Sequence, residues 1–180
     1  MWQVPVLDID GARHSQSRAL LRWAGQQTGL YPPSCQLHVD AVMDTITDIQ
    51  ASLVPAWYSH ACGRSPVTGE FYPDTKLDEA QMAGVFAALN SEILPVRFQQ
   101  LERVLAQKSV EVGEGPYFCG NVLTIADVSV YVLITGVLDG TYLAGLEPGV
   151  VSGCSLLLGV VAAVAANPQV QAWESRVGIR

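Results

Sequence analysis

The start of the chain has the residue pattern of a β-hairpin followed by a helix. Residues 4–9 form a short apolar run rich in β-branched side chains, and Asp10-Gly11 behind it is a strong signal for a two-residue turn. Gln16-Ser17 then opens a helix with one apolar face, and Gly29 ends it. Because two strands alone are marginally stable in water, we expect other elements to cover this hairpin.

After the proline-containing linker 30–34, apolar residues recur at three and four positions, which predicts helices for the rest of the chain. One long helix covers about residues 35–60 and a second about 77–108, with a loop rich in Gly, Pro and Ser between them. Pro55 and Pro95 lie inside these helices. We expect both to bend the helix, because proline removes a backbone hydrogen bond.

The last third of the chain predicts three further helices. Thr124 and Asp127 have the spacing of a capping box before the apolar residues 128–138, so the Asp127 carboxylate is expected to be buried and to accept from the Thr124 N–H. A helix near residues 150–166 follows, and Asn167 caps a last helix with Pro168 in its first turn. Residues 150–166 are at the lower limit for a membrane span, so we interpret them as a buried core helix.

Composition indicates a globular, acidic protein. Of its 180 residues, 49% are apolar and 15% charged, and the formal net charge is −7, which argues against a nucleic-acid-binding surface. The N-terminus lacks the pattern of a secretory signal. The four cysteines are far apart and the histidines have no metal-ligand spacing, so we predict a cytoplasmic protein without a metal site.

Two short motifs leave alternatives open when only their residues are considered. The dipeptide Val4-Pro5 by itself favours an ordinary trans bond at a strand start. Ser17 at the helix start is most simply an N-cap. The alternative for Gln16-Ser17 is capture of a carboxylate by free backbone N–H groups, the helix dipole and a hydroxyl.

An acidic stripe follows on the first long helix. Asp40, Asp44 and Asp48 are spaced at i, i+4 and i+8, and like charges at that spacing cost about 0.2–0.5 kcal/mol per pair. The stripe is either a solvated face or a surface that meets a cation, such as an amino group or an arginine across an interface.

Together these segments resemble the cytosolic glutathione transferases, most closely the sigma, pi, mu and alpha group. Gln3-Val4-Pro5 and Gln16-Ser17 are similar to motifs in their thioredoxin-like domain, and residues 118–127 resemble the signature of their helical domain. The resemblance covers essentially the whole chain. It implies the last part of an α/β thioredoxin-like domain, residues 1–31, followed by an all-α C-terminal domain, residues 35–180.

The resemblance also implies how glutathione would be bound. The Val4-Pro5 bond would be cis, the backbone of Val4 would pair with the cysteinyl part of the tripeptide, and Gln3 would occupy another binding position. Gln16 and Ser17 would hold the γ-glutamyl end, with Ser17 on its α-carboxylate. Glutathione is then a co-substrate, with no covalently bound cofactor.

Residues on the first long helix complete the implied site. Asp48 from a neighbouring subunit would reach the glutathione amino group, and Trp57 and Tyr58 would line the hydrophobic co-substrate site, unless they are ordinary core residues. The implied assembly is a homodimer, with the first helix and the first long helix of each subunit at its two-fold interface. There we expect Arg22 to meet an acidic residue near the two-fold axis, Asp44 being the preferred partner.

The expected activity is conjugation of the glutathione thiolate to a small electrophile, a detoxification reaction. In the family, the Tyr, Ser or Cys that activates the thiol lies upstream of the segment similar to Gln3-Val4-Pro5. We therefore expect no catalytic residue among these 180 residues. We also expect the chain to be poorly soluble, because the strand at residues 4–9 would present an unpaired edge. The alternative is a non-catalytic relative that binds glutathione or serves as an interaction module, or an inactive short form.

Overall fold

The computed structural model describes residues 4–58, 63, 77–107 and 113–178. Within them, a two-stranded antiparallel sheet comes first and helices follow. The strands are β1 (Val6–Ile9) and β2 (Ala12–Ser15), and the α-helices are α1 (Ser17–Thr28), α2 (Gln36–Ala56), α3 (Glu79–Ala88), α4 (Leu94–Ala106), α5 (Ile125–Leu138), α6 (Ser155–Ala165) and α7 (Pro168–Val177).

The predicted hairpin turn is confirmed at Asp10-Gly11. Both residues have positive φ, 52° and 83°, the conformation that a tight hairpin requires and that Gly and Asp tolerate. The Asp8 carboxylate accepts the Gly11 N–H at 3.0 Å, and Ile9 pairs with Ala12 across the turn. The first strand begins at Val6, two residues later than the apolar run suggests.

Helix α2 supplies the centre of the helical core. Its buried residues follow the three- and four-residue spacing predicted from the sequence, and they are Val39, Val42, Met43, Ile46, Ile49, Leu53 and Ala56. Pro55 lies in its last turn, and the backbone widens to π-type hydrogen bonding at residues 57–58. The predicted continuation to residue 60 lies outside the described residues.

The second predicted long helix is one helical run with an interruption. Asp78 caps α3 through a capping box with Gln81, and five residues of π-helix, Leu89–Ile93, separate α3 from α4. The irregularity therefore lies just before Pro95, in the first turn of α4. Proline has no N–H and excludes the preceding turn's regular bonding, which places the break upstream of the proline itself.

The C-terminal helices confirm the predicted start of the last helix but not the predicted start of the helix before it. Asn167 accepts the Gln169 N–H at 2.9 Å and Pro168 occupies the first turn of α7, as predicted. The helix expected from residue 150 begins only at Ser155, because Pro148–Val151 forms a 3₁₀ turn. Leu157, Val160 and Val164 of α6 are buried.

Among the described residues, no single helix has both the length and the hydropathy of a membrane span. Helices α6 and α7 meet the two criteria only when they are taken together, and they meet at 69°.

Gly25 is where α1 touches the helical core. A Cβ there would lie 2.8 Å from Cγ2 of Ile125 and 2.9 Å from Cβ of Tyr31. We predict that Gly25→Ala destabilises the protein by about 1–3 kcal/mol through overpacking, offset by up to about 1 kcal/mol of helix propensity. Gly84→Ala is the matched control, since no atom of the described residues outside its own helix backbone lies within 4 Å of its Cβ position, and α3 gains helix propensity alone. Urea unfolding of both variants tests this, and an unchanged or higher midpoint for Gly25→Ala contradicts it.

Candidate glutathione site

The hairpin brings the two N-terminal motifs to one end of the sheet. The register pairs Val6 with Ser15, so Pro5 and Gln16 are the residues directly beyond these two adjacent strand ends. The Val4-Pro5 bond is cis, as the resemblance implied. The trans form favoured by the dipeptide alone is wrong, because the intrinsic preference is only about 0.5–1 kcal/mol and the tertiary context outweighs it. Gln3 lies outside the described residues.

The start of α1 differs from a simple serine N-cap. Gln16 is the N-cap, its carbonyl accepts the Leu20 N–H at 3.1 Å, and no side chain caps the first turn among the described residues. Ser17 is instead the first helical residue, so the N-cap prediction for Ser17 is wrong. Gln16 has φ 78° and ψ 100°, a strained conformation of the kind that concentrates at functional sites. The uncapped N–H groups beside an exposed hydroxyl form a favourable environment for an anion.

The acidic stripe is partly neutralised inside the chain. The Arg22 Nε donates to Asp40 Oδ1 at 2.6 Å, and the Tyr31 hydroxyl donates to Asp40 Oδ2 at 2.8 Å. Arg22 Nη2 lies 3.7 Å from the exposed Asp44. Within the chain, Arg22 therefore contacts both carboxylates and lies closer to Asp40 than to Asp44. The meeting of Arg22 and Asp44 at a two-fold axis stays a prediction. The orientation of α1 places Arg22 beside Asp40, which lies one helical turn before Asp44 on α2.

The hydrogen bonds among Arg22, Asp40 and Tyr31 shift the pKa values of all three side chains. The hydrogen bond to Asp40 raises the pKa of Arg22. Burial raises the pKa of Asp40, but the bonds from Arg22 and Tyr31 outweigh it and the net pKa is lowered. Burial is also the main cause of the raised pKa of Tyr31, and the Asp40 carboxylate adds to it. Asp40 is therefore a charged structural residue that ties α1 and the linker to α2.

The remaining predicted site residues lie further along α2. Asp48 is exposed, and its carboxylate has no hydrogen-bond or ion-pair partner among the described residues. Trp57 is 43% exposed and Tyr58 half-buried, and their rings meet edge to face with centroids 5.2 Å apart. Trp57 is thus not a core residue. The structure does not join these three side chains to Gln16-Ser17 within one chain.

Asp127 is a buried structural residue at the start of α5. Its Oδ2 accepts from the Thr124 N–H and hydroxyl at 2.8 and 2.6 Å, and its Oδ1 accepts from the Phe118 N–H at 2.8 Å. Burial raises the pKa of Asp127 despite these bonds. The Ile125 N–H donates to the Leu30 carbonyl at 2.9 Å, so the start of α5 is also joined to the segment after α1.

A cavity of about 300 Å³ lies between α1, α2 and α5, and Ser17 is on its wall. Three polar side chains inside it form a chain of hydrogen bonds that sequence reasoning missed. Arg18 Nη2 donates to Gln50 Oε1 at 2.6 Å, and Gln50 Nε2 donates to the Tyr142 hydroxyl at 2.8 Å. No local pattern signals this contact, because Gln50 and Tyr142 are 92 residues apart in the chain.

Comparisons with known proteins place the chain among glutathione S-transferases. Glutathione S-transferase S1 of Drosophila melanogaster is 30% identical over 179 residues, an alignment that covers 96% of this chain and 59% of the relative. The chain therefore spans less than two thirds of the length of that curated relative.

Two solved structures share the fold. Monomeric Na-GST-3, a glutathione S-transferase of the hookworm Necator americanus, superimposes with a TM-score of 0.71 at 19% identity, covering 97% of this chain and 74% of the other. Prostaglandin synthase D of Nilaparvata lugens gives a TM-score of 0.70 at 20% identity, covering 96% and 73%.

The strongest assignment comes from the helical part. A family model described as glutathione S-transferase, C-terminal domain, matches residues 64–176, which is more than half of the chain. At identities of 19–20%, the solved structures support the same fold and no more. A hairpin followed by helices is consistent with a thioredoxin-like remnant before a helical C-terminal domain, and the chain belongs to the glutathione S-transferase family.

Proposed function

We propose that this chain binds glutathione at the open end of its hairpin and belongs to a cytoplasmic transferase. The observation that carries the proposal is the uncapped, strained start of α1, which directly follows the strand pair Val6–Ser15 and leaves Val4 exposed at the same end of the hairpin. Glutathione has a γ-glutamyl carboxylate, which suits a helix N-terminus with free N–H groups. Its cysteinyl part has peptide groups, which suit an exposed backbone edge at Val4.

For the whole protein we propose addition of the glutathione thiolate to a small electrophile. The name of the Drosophila melanogaster relative and the matched family description support this reaction class. The free thiols of Cys35, Cys119 and Cys154 agree with a reducing compartment.

We also propose that two copies pair through the face of α2 that carries Asp44 and Asp48. Both aspartates are exposed, and Asp48 has no cationic partner among the described residues, so an approaching amino group would offset their repulsion. A two-fold interface would present each Asp48 to the partner's Gln16-Ser17. A related hookworm enzyme is described as monomeric, so the pairing of this chain needs a direct test. Sedimentation of the chain provides it by measuring the mass of the assembly.

We predict that Ser17→Ala lowers the affinity for glutathione about tenfold or more, because a hydrogen bond to a charged group contributes about 1.5–3 kcal/mol. The melting temperature should not change, since the Ser17 side chain makes no capping bond to the residues that the structure describes. Calorimetric titration with glutathione measures the effect, and Asp48→Ala should also weaken binding if the chain is a dimer.

Cysteinylglycine, which lacks the γ-glutamyl group, is the matched ligand, and its affinity should be equal in wild type and Ser17→Ala. Ser34→Ala, an exposed serine in the linker, is the matched variant and should bind glutathione normally. Wild-type chain that does not bind glutathione refutes the proposed function. Full affinity in Ser17→Ala refutes only the role of Ser17.

A further inference from the structure

A long connection, residues 139–154, joins α5 to α6. Loops longer than about 12–15 residues are uncommon and are usually functional. The first part of the connection is tied back to α5, since the Tyr142 N–H donates to the Gly136 carbonyl at 2.8 Å. Beyond it, the backbone N–H groups donate to carbonyls three residues earlier, at Leu146, Val150, Ser152 and Cys154. Residues 143–154 are therefore a series of short turns that bond within themselves, and we call them the strap.

The strap covers part of the helical core. Four of its apolar side chains are buried, namely Leu143, Leu146, Val150 and Val151. Gly145 has φ of +103°, and a Cβ there would lie 2.9 Å from the ring of Phe86 in α3. Glycine thus allows the strap backbone to lie directly on α3.

A single side chain holds the middle of the strap at two points. Asn90 Nδ2 donates to the Gly145 carbonyl at 2.9 Å, and Asn90 Oδ1 accepts the Glu147 N–H at 3.0 Å. Asn90 belongs to the π-helical turn Leu89–Ile93, and such turns occur frequently at functional sites. Both bonds are exposed, so water replaces them at a small cost in free energy.

The far end of the strap contains a concealed thiol. Gln99 Nε2 donates to the Gly153 carbonyl at 3.0 Å and lies 3.7 Å from Cys154 Sγ. Cys154 is 1% exposed, and burial raises the pKa of its thiol to about 11, with the Glu102 carboxylate adding to the shift. Because the thiolate is the reactive form of cysteine, the closed strap protects this thiol from reagents in two ways.

The helix after the strap is held by other contacts. Glu102 of α4 accepts the N–H groups of Leu156 and Leu157, at 2.8 and 2.9 Å, and so caps the start of α6. Helices α5 and α6 also pack against each other. The contacts that fix α6 are therefore separate from the two bonds that Asn90 makes to the strap.

We propose that the strap opens as one unit while the helices stay folded, and that Asn90 is the latch that keeps it closed. Opening breaks the two Asn90 bonds and the bond from Gln99 to Gly153, and it exposes the Cys154 thiol to solvent. Segments with exposed hydrogen bonds open locally at a lower free energy than global unfolding. The strap is then a conformational device that controls access to one cysteine.

Labelling with N-ethylmaleimide tests the proposal, with mass spectrometry of protease fragments measuring how fast each cysteine is modified. Cys119 is the internal reference, because it is 2% exposed and lies outside the strap. Each rate is divided by the rate of the same cysteine in the urea-unfolded chain. In wild type, Cys154 should then react at least about tenfold faster than Cys119. Urea well below the unfolding midpoint should accelerate Cys119 but change the Cys154 rate less than about twofold, because local opening exposes little surface.

Two variants of the π-helical turn identify the latch. Asn90→Ala should accelerate the labelling of Cys154 about tenfold, which corresponds to about 1.4 kcal/mol and is the size expected of two net hydrogen bonds. Ser91→Ala is the matched control, since the Ser91 hydroxyl donates to the Ala87 carbonyl of its own helix, and it should leave the rate unchanged.

Equal corrected rates for Cys154 and Cys119 in wild type, with the same dependence on urea, would mean that only global unfolding exposes Cys154, and would overturn the strap. A wild-type rate of Cys154 labelling in Asn90→Ala, or the same acceleration in Ser91→Ala, would overturn the assignment of the latch.

Discussion

Asp127→Ala is expected to lower the free energy of unfolding by about 3 kcal/mol or more. The substitution leaves the N–H groups of Phe118 and Thr124 without their acceptor in a fully buried place, and each unsatisfied donor costs about 1–3 kcal/mol. The Thr124 hydroxyl also loses its acceptor, Asp127 Oδ2 at 2.6 Å. Urea unfolding followed by far-ultraviolet circular dichroism measures the change.

Asp139→Ala separates burial from the loss of a carboxylate. Asp139 also accepts a backbone N–H, that of Thr141 at 3.0 Å, but it is exposed and water replaces it. We expect a loss of about 1 kcal/mol or less in that variant. If both variants lost the same free energy of unfolding, Asp127 would stabilise the protein no more than an exposed turn carboxylate such as Asp139 does. An Asp127 variant that melts normally but no longer binds glutathione would assign the residue to the ligand site instead.

Gly115→Ala is expected to be at least as damaging, by about 3 kcal/mol or more, as a forced steric overlap in a packed site. A Cβ at position 115 would lie 2.2 Å from both the carbonyl carbon and the oxygen of Gly120, and backbone atoms cannot rotate away. The same loop holds the bond from the Tyr117 N–H to the Gly120 carbonyl at 3.0 Å, next to the Phe118 N–H that Asp127 accepts. Opening the loop therefore also weakens the support of α5.

Gly140→Ala is the control for backbone strain alone. Gly140 has φ of +74°, but in the part of the chain that the structure describes nothing beyond its two neighbours lies within 4 Å of its Cβ position. Its substitution should cost about 1 kcal/mol, the penalty of a left-handed conformation for a residue with a side chain. Thermal unfolding of both variants distinguishes overlap from strain, and a Gly115→Ala protein that melts with the Gly140→Ala protein would contradict the overlap.

The two predictions share a location that bears on function. Helix α5 forms one wall of the cavity beside Ser17, and its first residue is bonded to Leu30 after α1. A loosened α5 start should therefore weaken ligand binding at Ser17 together with stability. Ser17→Ala itself should change binding without this loss of stability.

The local elements were predictable because their causes are local. The Asp10-Gly11 turn, the buried face of α2, the Asn167 cap and the contact from Asp127 to Thr124 each depend on residues within one or two turns of each other. Capping and turn chemistry operate at fixed sequence offsets, and helical periodicity reports which face is apolar. The start of α6 has no such local signal. The apolar run continues through Pro148–Val151, and only the backbone geometry shows the 3₁₀ turn there.

The sequence by itself determined that a hairpin and a helix precede a helical bundle, and it identified Gln16-Ser17 and Asp127 as positions of interest. Only the tertiary structure decided that Arg22 pairs with Asp40, and that Arg18, Gln50 and Tyr142 meet in one cavity. The reason is geometric. Each residue turns a helix face by about a hundred degrees, so a partner on another helix depends on rotation and packing angle, which sequence spacing does not encode.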